Sequence, residues 1–359
     1  MFIVYNFFLD RCEKQIILLG KGTFNSIYRV NSLRNTNGFA HTVGNNGKPQ
    51  HELVIKRLHY KTLSSRKATE VAEYDLSVEA AILSKLPFHK NIIRLHGISE
   101  DFYTCPRKGF LVLDFLQSTL QEQLDRWRRR SHLNKKSRLC PFQGSELKKQ
   151  LLQQERERIY KFAVGIACAM EFLHANRIIY RDLKPHNIGF DQQENVTLFD
   201  FGLARSMEPE TQERRMTGMT GTFRYMAPEV VQSKDYSYPA DVYSFAILLW
   251  EVCSLSKPFP EITSLKKLKK RVVLGHCRPS FNKICSSGVK ELLKSCWQSV
   301  PEHRKSFSHI LGDLELLVKT KEGKLHSDET LGSSDVSETM GSPGVSALNG
   351  LPSLDALTN

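Results

Sequence analysis

Near the N-terminus short apolar runs are separated by polar turns, and helical periodicities take over later. Gln15-Ile16-Ile17-Leu18-Leu19-Gly20 and Ser26-Ile27-Tyr28-Arg29-Val30 predict two strands joined by a glycine turn, and Leu53-Val54-Ile55 predicts a third. Residues 31–50, rich in Asn and Gly, read as a long hairpin loop. From 68 to 86, Val71, Tyr74, Val78, Ala81, Ile82 and Leu86 recur at spacings of three and four, a helix that Pro87 stops. Ile92 to Leu95 and Phe110 to Phe115 predict two more strands, and Glu155 to His174 and Ala240 to Ser254 are long helical stretches, with shorter helices to about Lys319. A strand-rich first third and a helical remainder give an α+β class, and two lobes meeting near Asp114 to Leu116 fit the shift.

Charge and composition add detail at the ends of this picture. The chain has 359 residues and a formal net charge of +13. Much of the excess is local: residues 126–150 carry nine Lys or Arg against the single acid Glu146 and read as an inserted basic loop. A solvated face is the ordinary reading of such a run, and an acidic partner is the alternative. Nucleic acid fits poorly as the primary ligand, because single-strand binding needs aromatics among the cations and the segment offers Trp127 and Phe142 alone. The eight cysteines are scattered without a C-x-x-C pair, which suits reduced thiols in an intracellular protein, cytoplasmic or nuclear. Met1 to Leu9 lacks a basic leader and a cleavage site, and no run of about 18 apolar residues occurs, so no membrane span is expected. After Lys324 the chain has no Lys, Arg or aromatic residue, so an acidic, Ser- and Gly-rich disordered tail is expected over 320–359.

The candidate chemistry lies between these segments. Gly20-Lys21-Gly22-Thr23-Phe24-Asn25 sits at the first strand turn, where residues without side chains let backbone N–H groups approach phosphate. Lys56 ends the third strand, and Glu79, midway along the 68–86 helix, is a carboxylate to hold it. Tyr180-Arg181-Asp182-Leu183-Lys184-Pro185-His186-Asn187 offers a carboxylate, a cation and an amide within six residues, and Asp200-Phe201-Gly202 follows the predicted strand Val196 to Phe199. An acceptor for a hydroxyl proton, oxygen ligands for Mg²⁺ and a cation for a moving phosphate are what phosphoryl transfer needs.

This order and spacing resemble the eukaryotic protein kinase family over roughly residues 14–315. The resemblance implies a bilobal kinase fold with its active site in the cleft: a lead-in over 1–13, a kinase domain over 14–319, an N-lobe over about 14–113, a hinge at 114–116 and a C-lobe over 117–319. It implies ATP and Mg²⁺, with Gly20, Gly22 and Ile27 covering the nucleotide and Lys56, paired to Glu79, on its α and β phosphates. Asp182 would orient and deprotonate the acceptor hydroxyl of a protein substrate, Lys184 would steady the γ-phosphate, and Asn187 and Asp200 would hold Mg²⁺. Val54 would roof the adenine pocket, Gly189 would floor it, Leu113 would be the gatekeeper and Asp114 to Leu116 the hinge. Glu229 of Ala227-Pro228-Glu229 would pair with Arg304, and Asp241 would anchor the catalytic loop. Lys184 two residues after Asp182, together with Thr222, implies serine/threonine acceptors, and Cys296-Trp297, Pro301, Arg304 and Phe307 resemble the tyrosine-kinase-like branch. The runner-up, a pseudokinase or scaffold, would ordinarily lack one of Lys56, Asp182 or Asp200, and all three are present.

Three departures from the family stand out. Asn25 replaces the loop's third glycine, with the expectation that Asn tolerates a left-handed backbone. Tyr180 stands at a usual His position, where its ring should stack on Phe201. Val54 replaces an Ala in the roof while Gly189 replaces a large aliphatic in the floor, predicting a slot shifted toward the floor. For regulation, Arg181 is the expected receiver of a phosphate on Thr217 or Thr220, an unmodified polar loop being the alternative.

Overall fold

The computed structural model describes residues 3–5, 16–22, 24–30, 52–59, 65–104, 109–136, 144–207, 216 and 218–319. Residues 1–320 form one compact unit, and the second, 321–359, lies outside the described residues, as does the loop predicted over 31–50. The first strands follow the apolar runs: β1 (Ile3–Tyr5), β2 (Ile16–Lys21), β3 (Asn25–Val30) and β4 (Leu53–Leu58). After helix α1 (Arg66–Lys85) come β5 (Leu95–Ser99) and β6 (Phe110–Asp114), and the six strands make one sheet in the order β1-β5-β6-β4-β3-β2. Only the β1–β5 pair of this sheet is parallel, so part of the segment read as a lead-in extends the sheet edge.

Strand pleating decides which way Lys56 points. Alternate residues of β4 face opposite sides: Leu53 and Ile55 pack with Val30, Phe110 and Val112 in a small core, whereas Val54 and Leu58 join Leu111, Leu113 and α1 in the main core. Lys56 shares the second face and so looks toward α1. That helix starts where the Ser65 side chain caps the Ala68 amide, and ends at Leu86 before Pro87. Its buried stripe is Ala72, Leu76, Glu79, Ala80 and Leu83, not the Val71–Tyr74–Val78 series that carries the periodicity; Val71 and Tyr74 are exposed.

The remainder is helical, apart from five short strands. β7 (Ser118–Thr119) leads into α2 (Leu120–Lys136), and α3 (Gly144–Arg158) runs through a π-turn at Ile159–Ala163 into α4 (Val164–Ala175). Most of the segment read as a basic loop is therefore helical, because Leu120 and Leu124 bury one face of α2 and carry the charged turns with them. β8 (Ile178–Ile179), β9 (Ile188–Phe190), β10 (Val196–Leu198) and β11 (Arg205–Ser206) frame the cleft, β9 pairing with both β7 and β10. α5 (Pro228–Val231) precedes α6 (Pro239–Ser254), which is buried from Ala240 onward on every side, as an apolar helix must be. α7 (Leu265–Leu268), α8 (Ser287–Cys296) and α9 (Phe307–Lys319) complete the unit. No helix among the described residues is long and apolar enough to cross a membrane. Cys168, Cys253, Cys277, Cys285 and Cys296 are free thiols.

Candidate active site

Lys56 links three distant parts of the chain. Its ammonium donates to Glu79 Oε2 at 2.6 Å and to Asp200 Oδ1 at 2.7 Å, with Lys56 and Glu79 both buried and the Asp200 side chain 41% exposed. Burial alone would lower the Lys56 pKa, but the carboxylates of Asp200 and Glu79 outweigh it and raise the value, so the ammonium stays charged. Burial would raise the Asp200 carboxyl, and the neighbouring Lys56 ammonium reverses this to a net lowering.

A second cluster lies on the loop between β8 and β9. Asp182 Oδ2 accepts from Lys184 Nζ at 2.6 Å and from Asn187 Nδ2 at 3.0 Å, and Asn187 Nδ2 also donates to the Asp182 carbonyl at 3.0 Å. Thr222 Oγ1 donates to the other oxygen, Oδ1, at 2.8 Å. The loop is held in an uncommon backbone conformation, with Arg181 at φ 71°. Fully buried Asp241 of α6 keeps it there, accepting from the amides of Tyr180 at 2.9 Å and Arg181 at 2.8 Å and bonding His174 Nε2 at 3.0 Å. Gly221, at φ 104°, passes so close that a β-carbon would sit 2.4 Å from the Arg181 carbonyl, so only glycine brings Thr222 to Asp182.

Tyr180 does what its position required: its ring meets Phe201 edge-on at 5.3 Å, and its hydroxyl donates to the Phe199 carbonyl just before Asp200. Glu229 and Arg304 form a buried two-pronged pair at 2.6 and 2.8 Å. Asn25 opens β3 opposite Leu58 in extended backbone, and its carbonyl accepts from Gly22 N–H at 2.7 Å, so the expected left-handed tolerance is not used. Gly20 and Gly22 lie at the β2–β3 turn, and Ile27 and Val54 stand one strand apart behind it. Leu113 is buried on β6, and Asp114 turns its carboxylate onto Arg94 N–H and His96.

A β-carbon on Gly189 would lie 2.5 Å from Leu116 Cδ1, so the hinge leucine already fills the space the glycine leaves. Arg181 donates to the Leu203 carbonyl at 2.6 Å and to Tyr236 hydroxyl at 3.2 Å; Thr220 lines a cavity of about 10 Å³ beside it, while Thr217 lies outside the described residues. Sequence reasoning did not find Arg205, which stacks on Tyr74 at 4.9 Å and lowers its own pKa through burial and the neighbouring Arg181. Nor did it find the Leu116 contact, which no spacing rule encodes.

A description of protein tyrosine and serine/threonine kinases matches residues 14–314. The chain belongs to that kinase family. Serine/threonine-protein kinase STY17 of Arabidopsis thaliana is 38% identical over 174 residues, 48% of this chain and 30% of that protein. A probable serine/threonine-protein kinase of Dictyostelium discoideum is 32% identical over 287 residues, 79% of this chain and 18% of its own length. Serine/threonine/tyrosine-protein kinase HT1 of Arabidopsis thaliana is 32% identical over 243 residues, 68% of this chain and 55% of that protein. The kinase chain thus matches between 18% and 55% of the length of these relatives. The two Arabidopsis relatives are of the tyrosine-kinase-like type that Cys296 to Phe307 suggested.

The donor set around Asp182 and Asp200 suits a hard cation. Asn187 spends its amide nitrogen on Asp182, with the Tyr180 hydroxyl close to the same side chain, and Asp200 spends Oδ1 on Lys56. One carboxamide and one carboxylate on separate segments fit Mg²⁺, which takes one or two protein oxygens plus substrate phosphates.

Proposed function

We propose that the chain is a protein serine/threonine kinase that transfers the γ-phosphoryl group of Mg-ATP to Ser or Thr hydroxyls of protein substrates. The observation that carries this is the bridge from Lys56 to both Glu79 and Asp200, which assembles a phosphate-binding cation and a metal-facing carboxylate from three segments. Lys56 holds the α and β phosphates, Gly20, Gly22 and Ile27 cover the nucleotide, and Val54, Leu113, Asp114, Leu116 and Gly189 surround its purine. Mg²⁺, held by Asn187 and Asp200, would supply charge neutralisation on the phosphates. Asp182 orients the acceptor hydroxyl and takes its proton, and Lys184, already 2.6 Å from that carboxylate, steadies the charge on the transferred group. Thr222 on Asp182 supports a Ser/Thr acceptor.

On this reading the kinase domain spans 14–319 in an intracellular protein, and Arg181, flanked by Arg205 and Tyr236, receives a phosphate from Thr217 or Thr220. Full activity after both threonines are changed to Ala would remove that regulatory role. The exposed arginines of 126–150 remain the place for an acidic partner. The central test is transfer of labelled γ-phosphate from Mg-ATP to a general Ser/Thr protein, comparing wild type with Asp182→Asn. Transfer that Asp182→Asn abolishes is the expected result; equal signal in both would reject the role of Asp182, and Mg-ATP binding without transfer would favour the pseudokinase.

A further inference from the structure

Within the basic run, Arg126, Arg129 and Arg130 are exposed, but Arg128 turns inward. Its guanidinium donates to Glu251 Oε1 at 2.6 Å, to Asp125 Oδ1 at 3.1 Å and to the Leu255 carbonyl at 3.2 Å. Glu251 is, after Asp241, the second acid of the largely apolar α6, its side chain 3% exposed. Its second oxygen, Oε2, accepts from Tyr225 hydroxyl at 2.6 Å. Burial raises the Tyr225 hydroxyl pKa, and the adjacent Glu251 raises it further, so the tyrosine is the donor. Tyr225 is fixed at its other end too: its carbonyl accepts from Ser244 Oγ at 2.8 Å, and its amide donates to the Thr222 carbonyl at 2.9 Å. Thr222 in turn touches Asp182. A continuous set of bonds therefore runs from the basic helix through the core to the candidate base.

We propose that Arg128 is a positioning residue for the acceptor substrate, holding the Thr222–Tyr225 turn against Asp182 through Glu251; this rests on the kinase reading above. Without Arg128, Glu251 keeps a buried charge with one hydroxyl donor. It must then take a proton or turn toward water, and either change frees Tyr225. The nucleotide side is anchored separately by Lys56 and Glu79, so the effect should fall on the acceptor alone.

The test uses the full chain with casein as acceptor. In Arg128→Met and in Tyr225→Phe the acceptor KM should rise about tenfold, as for loss of a charged hydrogen bond, while the ATP KM stays unchanged. Arg128→Lys should recover part of the loss, and the double variant should be no worse than the more impaired single variant. Equal rises in both KM values, or none, would overturn the proposal. Amide hydrogen exchange over 218–227 reads the same link without catalysis: Arg128→Met should speed it about tenfold and leave β4 and α1 unchanged. Unchanged exchange there overturns the proposal. A wild-type chain without transfer counts against the kinase reading alone, and the exchange result still decides the Arg128 link.

Discussion

Replacing Gly189 by Ala should strain the cleft floor through one identifiable contact. The added β-carbon would lie 2.5 Å from Leu116 Cδ1, 3.1 Å from its Cβ and 3.3 Å from its Cγ. Carbon atoms prefer about 3.5–4.0 Å, so the leucine tip must move by about 1 Å and its backbone by a few tenths. The first shift is a rotamer change into the slot; the second is resisted on the other side by β9, where Gly189 pairs with Thr119 and Thr197. Overpacking of this kind costs about 1–3 kcal/mol. With Leu116→Ala only the Cβ contact remains, and the penalty of Gly189→Ala should fall by about half or more. Urea unfolding of wild type, both single variants and the double variant measures this coupling, and calorimetric titration with Mg-ATP reads the slot itself. Nucleotide binding should weaken about tenfold in Gly189→Ala, about 1.4 kcal/mol, and recover in the double variant relative to Leu116→Ala. Strict additivity in both measurements would refute the idea that Leu116 forms the floor.

Thr222→Val should lower transfer to Ser/Thr acceptors about tenfold or more by removing the hydroxyl bonded to Asp182, whereas Thr222→Ser keeps most of it; equal rates in a steady-state assay would deny the contact a role. Arg304→Met leaves Glu229 buried without its two-pronged partner and should cost about 3–5 kcal/mol in urea unfolding, and a loss below about 1 kcal/mol would show that the pair is dispensable. His89 stacks on Phe172, and its Nδ1 accepts from Asn91 N–H, so burial first and Lys90 second lower its pKa below the ordinary 6.5. The unfolded chain then binds more protons near pH 6. Stability from this group is full above about pH 6.5 and declines as pH falls through the folded value, and His89→Leu should flatten that slope in thermal melts.

The order of elements was largely legible in the sequence, because pleated strands, helix periodicity and short motifs are local properties. Lys56, Glu79, Asp182, Asn187 and Asp200 could be named from short motifs and the resemblance they carry, and the fold joins Lys56 to Glu79 and Asp200, and Asp182 to Asn187. What local rules could not settle was which face of a helix the core accepts. α1 buries Ala72, Leu76 and Glu79 and exposes Val71 and Tyr74, because the face turned to Lys56 of β4 is the one that carries Glu79. Arg128 looks like its exposed neighbours until α6 brings Glu251 beneath it, 123 residues away. Leu116 replaces the missing floor at Gly189 only once the hinge crosses β9. Each depends on two segments distant in sequence meeting within a few ångström, and the energy of such a contact exists only in the folded chain.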